Sequence, residues 1–136
     1  MFVRCGEKRY DECSFKSMTT MLPCSPMNKK YVLVLCTCPD ATSAEQLASE
    51  LVAGHLAACV NILPGITSIY PWEGKIENSR EHLLLIKSRE SAYAALEALI
   101  RKSHPYELPE IIAVPLQQGQ SDYLKWIDAW VKSSDT

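Results

Sequence analysis

No stretch of this sequence approaches the roughly 20 consecutive apolar residues that a membrane-spanning helix needs, so no membrane partner is expected. An excess of positive charge is also missing. Lys and Arg number 14 against 16 Asp and Glu, a net charge of −2, which lacks the basic footprint of a nucleic-acid binder. The sequence contains no phosphate-binding glycine loop, no H-E-x-x-H and no G-x-S-x-G elbow, and no enzymatic activity is expected. The N-terminus, MFVRCGEKRYDECSFK, has no apolar segment of the secretory type. No repeat or low-complexity segment interrupts the chain.

Six cysteines are present, and they raise the alternative of a disulfide-stapled secreted domain. At 136 residues a core forms without staples. Cys36, Cys38 and Cys59 lie in apolar, strand-like runs, where a reduced thiol acts as a small hydrophobe. The expectation is therefore free thiols in a reducing, cytoplasmic setting. Residues 1–27 carry the other three cysteines, show no helical or strand period and end in Pro23-Cys24-Ser25-Pro26. They read as an N-terminal extension, with Met27 as a candidate native start, and residues 28–136 read as one domain.

From Lys30 onward the pattern is regular. Tyr31 to Cys38 is a buried strand closed by Pro39-Asp40. Thr42-x-x-Glu45 reads as a capping box for a helix with Ala44, Leu47, Ala48, Leu51 and Val52 on one side and Gly54 at its end. Leu56 to Tyr70 is a strand interrupted by Pro64-Gly65, which predicts a bulge at an edge. Trp72-Glu73-Gly74-Lys75 is a turn signal, and the arms on either side predict a long antiparallel hairpin. A helix is predicted from about Arg89, with Tyr93, Leu96, Leu99 and Ile100 on one face. A strand at 111–116 follows, with Pro115 placing it at an edge or ending it early. A short helix with Tyr123, Ile127 and Trp130 on its apolar stripe closes the chain. The order β-α-β-β-α-β plus a helix is the split βαβ, ferredoxin-like arrangement of an α+β protein. The hairpin strands exceed what one helical layer covers, and further copies of the chain are expected to cover the remainder.

Five stretches, VLVLCTCPD (32–40), LAACVNILPGITSIYPWEGKIE (56–77), LLIKS (84–88), HPYELPEI (104–111) and DYLKWI (122–127), resemble the CutA family of divalent-cation tolerance proteins. The resemblance implies a ferredoxin-like subunit, a tight homotrimer similar to the PII signalling proteins, a cytoplasmic location and a link to copper or another divalent metal ion. It carries no established catalysis. The family's proposed copper site falls on Cys36 and His104. Relatives carry a second histidine just before the HPY stretch, where this chain has Ser103; the departure removes one imidazole.

Thiolate and imidazole are ligands that copper and zinc favour. Cys36 and Cys38 are two apart on a strand and share a face, so with His104 they form a three-ligand candidate. The alternative for each cysteine is a buried thiol, and for His104 a helix-terminal residue that gains from the helix dipole. His55 and His82 read mainly as a helix-terminal residue and a hairpin residue. A second candidate is a ligand cleft between subunits, drawing on Trp72, Glu73, Lys75, Lys87, Tyr106, Glu107 and Glu110. Its alternative is that Trp72 and Tyr106 anchor an interface and the carboxylates pair with cations. Three functions follow: a trimeric metal-binding tolerance protein, a PII-like sensor of a small ligand, and a scaffolding trimer.

Overall fold

The structure, a computed structural model, describes residues 30–132. The expected extension at 1–27 lies outside the described residues. Strand β1 (Tyr31–Cys38), helix α1 (Ala41–Ala53), strands β2 (Cys59–Trp72) and β3 (Lys75–Arg89), helix α2 (Tyr93–Ser103), strand β4 (Ile112–Pro115) and helix α3 (Ser121–Trp130) follow in order. The four strands form one antiparallel sheet in the order β2-β3-β1-β4. This is the ferredoxin-like α+β architecture expected from the pattern.

Strand alternation sorts the sheet into two faces. Val32, Val34, Cys36 and Cys38 of β1 join Leu84 and Ile86 of β3 in the main core, packed against Leu47 and Leu51 of α1 and Leu96 and Ile100 of α2. The opposite face carries Leu33, Leu35, Thr37, Glu81, Leu83, Leu85 and Lys87. Helix α3 covers one end of that second face. Its Ile127 and Leu124 pack on Tyr31, Ala58 and Ala92, and its Asp128 accepts a hydrogen bond from the Tyr31 hydroxyl at 2.7 Å and one from Lys30 Nζ at 3.1 Å. Arg89 adds an ion pair at 3.3 Å. Only Ile127 of the expected stripe is buried, while Tyr123 and Trp130 stay exposed. The reason is that α3 meets a small secondary cluster through Ile127 and Leu124. Trp130 instead lies over α1, stacking on His55 at 4.0 Å and donating its indole N–H to Val52 O.

The cap of α1 differs from the expected box. Asp40, in extended backbone, accepts from the Ser43 N–H at 2.8 Å, so the helix starts one residue before Thr42. Gly54 caps the other end, and the left-handed residue there is His55, φ 61°. A 3-10 turn at Glu90–Ala92 precedes α2. The predicted bulge is present between Leu63 and Ile66, at the edge strand β2, with Gly65 at φ +73° where a side chain would be strained. The hairpin closes with Trp72 paired to Lys75, and Glu73 and Gly74 both take positive φ. That is the signature of a type I′ turn, which suits the strand twist. Pro115 ends β4, the opposite edge strand.

Candidate functional site

The last residues of β1 and the first residue after α2 meet at one end of the sheet. Cys36 and Cys38 point to the helical face and are fully buried. His104 ends α2 because Pro105 disfavours helical backbone in the residue before it; His104 is accordingly extended, φ −76° and ψ 140°. This turns its ring inward beside β1, where it is 8% exposed. The ligand atoms of Cys36, Cys38 and His104 all lie within 4.8 Å of one another. Thus the sequence-predicted trio is brought together.

His104 is held at both nitrogens. Its Nδ1 accepts the Tyr106 backbone N–H at 3.0 Å, and its Nε2 lies 2.8 Å from Thr37 O and 3.7 Å from Cys38 Sγ. The Cys36 thiol is pushed above its usual range by its hydrogen bond to Cys38 and by burial. Cys38 is held lower because it receives that bond from Cys36. Two thiols and an imidazole in a dry pocket form a soft donor set, which fits copper or zinc and does not fit magnesium or calcium.

Immediately outside, on the other face of the sheet, lies an open cleft of about 870 Å³. Glu77, Glu81, Glu107 and Glu110 line it with Tyr70, Trp72 and Tyr106. Trp72, Tyr106, Glu107 and Glu110 of the predicted ligand residues are therefore brought to one place. Glu73, Lys75 and Lys87 are not among its lining residues: Glu73 lies in the hairpin turn, Lys75 begins β3, and Lys87 donates to Asn61 Oδ1 farther along the sheet. Glu81 was not singled out by sequence reasoning. It is 5% exposed and accepts from the Tyr106 hydroxyl at 2.7 Å. Burial, and then that bond to Glu81, push the Tyr106 phenol well above its usual range. The available signal was strand alternation, which puts Glu81 on the same face as Leu83 and Leu85. Of the other histidines, His55 contacts Trp130 O through Nδ1 at 2.8 Å, and His82 pairs with Cys38 across the β1–β3 ladder with its Nδ1 buried and unbonded.

The family model for the CutA1 divalent ion tolerance protein matches residues 32–130. A divalent-cation tolerance protein CutA from Yersinia pestis (strain Pestoides F) is 47% identical over 98 residues, covering 72% of this chain and 82% of the relative. The crystal structure of CutA1 from Oryza sativa superimposes with a TM-score of 0.76 at 40% identity, covering 79% of this chain and 98% of that one. The periplasmic divalent cation tolerance protein CutA from Archaeoglobus fulgidus gives a TM-score of 0.73 at 37% identity, covering 75% and 99%. With a family match spanning nearly all the described residues and a relative 47% identical over 72% of the chain, the chain belongs to the CutA1 divalent ion tolerance family.

Proposed function

We propose that this protein is a homotrimeric, cytoplasmic copper-binding protein whose ion enters the pocket bounded by Cys36, Cys38 and His104, and that it acts in the response to metal ions by binding and not by catalysis. The single observation that carries the reading is the buried convergence of those three side chains within 4.8 Å. Their soft character favours copper among the common metals. A binding role is supported by the full burial of both sulfurs, since a reactive cysteine is partly exposed. Free thiols at Cys36, Cys38 and Cys59 support a reducing compartment; the Archaeoglobus fulgidus relative, by contrast, is named as periplasmic.

The oligomer is supported by two unlike open edges, β2 and β4, with Ile69 on one and Ile112 and Val114 exposed on the other. A contact between unlike surfaces repeats head to tail and closes into a ring when the rotation between successive copies divides a full turn. The test is an anaerobic copper titration of the reduced full chain with Cys5, Cys13 and Cys24 changed to serine, so that thiols outside the described residues do not compete. One ion per chain is expected, and a protein that takes up no metal overturns the reading.

A second reading is favoured by the cleft. It draws Trp72, Tyr106 and Glu110 from distant segments into one concave surface, as a PII-like sensor of a small ligand requires. A thermal-shift screen of nucleotides and small metabolites tests it, because a ligand of the native state raises the melting temperature. A screen without any shift removes this second reading.

A further inference from the structure

The hydrogen bonds around His104 fix where its proton sits. The Tyr106 backbone N–H can only donate, so Nδ1, 3.0 Å away, carries the lone pair. The Thr37 carbonyl can only accept, so Nε2, 2.8 Å away, carries the proton. The two contacts agree on one neutral tautomer. It presents an N–H, and no lone pair, to Cys38 Sγ at 3.7 Å. Ligation through Nε2 would break the Thr37 bond and set a protonated Nδ1 against another N–H. His104 and Thr37 are both buried, so water would not replace the lost partner.

The thiols lose less on ligation: Cys36 Sγ gives up only a long bond to Thr37 O, at 3.9 Å, and that carbonyl keeps its partner in His104 Nε2. Cys36 and Cys38 share a strand face, are fully buried, and lie within the 4.8 Å cluster. No other group of three or more His, Cys, Asp and Glu ligand atoms converges among the described residues. A closed zinc site takes four protein ligands and an open one three, whereas copper(I) is suited by two soft thiolates. We propose that the ion of this pocket is copper(I), bound by the Cys36 and Cys38 sulfurs alone, and that His104 is a positioning residue that donates from Nε2 and does not ligate. The inference rests on the metal-binding reading above. In the binding step two S–H bonds break, two S–Cu bonds form, and two protons pass to solvent. No electron moves. The Nε2–H then faces a sulfur that has become anionic, which strengthens that contact.

The experiment uses the full chain with Cys5, Cys13 and Cys24 changed to serine, reduced and anaerobic. Copper(I) is supplied as its acetonitrile complex and competed with a chromogenic copper(I) chelator. Cys36→Ser and Cys38→Ser are each expected to weaken binding by more than about 100-fold, beyond what an outer-shell partner controls. His104→Ala is expected to weaken it by about tenfold, and His104→Gln, which keeps a side-chain N–H donor, to recover most of that loss. In protein labelled with ¹⁵N-histidine, the His104 ring should keep its Nε2–H tautomer after copper(I) is added. If Nε2 loses its proton to the metal, or if both His104 variants fall as far as the cysteine variants, the inference is overturned while the metal reading stands. If no copper(I) binds to the parent protein, the metal reading falls and the inference with it. The labelling experiment needs no substitution at His104, so a variant that fails to fold leaves the answer intact.

Discussion

Tyr106 joins the two candidate regions through different atoms. Its amide fixes the His104 ring beside the thiols, and its hydroxyl reaches the buried Glu81 carboxylate in the cleft. Removing only the hydroxyl leaves Glu81 without its recorded partner. Tyr106→Phe is therefore expected to lower stability by about 1–3 kcal/mol, the range for stranding a buried polar group. Urea unfolding at fixed protein concentration measures it, and an unchanged midpoint would show that Glu81 is satisfied by other means. At this scale the sequence was informative about residue type and silent about protons. Cys36, Cys38 and His104 were legible as a soft trio. The tautomer was not, because it depends on a backbone amide two residues downstream folding back onto the ring. Glu81 went unnoticed because a single carboxylate in an arm reading EHLLLIK looks like an ordinary solvent-facing residue.

Among the elements, α3 is the one most dependent on a charge. Burial alone would raise the Asp128 carboxyl. The bonds from Tyr31 and Lys30, with the charges of Lys30 and Arg89, outweigh that and hold it below its usual range. A carboxylate depressed in the folded state contributes stability above its unfolded value, about 3.9, and loses it as pH falls through the lower folded value. Asp128→Asn should thus be less stable than the parent at neutral pH, with the gap closing as the solution is taken below about pH 3.9. Thermal melts across that range check the sign; a gap that stays constant with pH would assign the loss to packing. The elements themselves were readable from periodicity, and so were the β2 bulge and the edge position of β4. The start of α1 was misplaced because Asp40 and Thr42 are both good caps, and only the extended backbone of Asp40 decides between them. The exposure of Tyr123 and Trp130 was also missed, since a helical stripe says which residues share a side and not what lies opposite.

For the molecule as a whole, the sheet face away from α1 and α2 is the apolar surface that bears on the proposed trimer. Leu33, Leu35, Leu83 and Leu85 are only half-buried there, and Ile112 and Val114 are exposed at its edge. A charge in the middle of that apolar surface opposes its burial between subunits. Leu85→Glu is expected to convert the proposed trimer to monomer, read as a threefold drop in mass by light scattering, with the circular dichroism of the subunit retained. A folded variant of unchanged mass would place the subunit contact elsewhere.

One carboxylate has a further consequence for how the chain is threaded. Asp128 touches Lys30 and Tyr31, and Lys132 N donates to His55 O, so the first and last of the described residues lie on one side of the sheet, beside α3. The hairpin tip at Glu73-Gly74, by contrast, is an exposed two-residue turn. A circular permutant, with residues 30 and 132 joined by a short glycine-serine linker and new ends opened between Glu73 and Gly74, should fold to the same sheet. Its Cys36, Cys38 and His104 would remain together, because both segments that supply them stay whole.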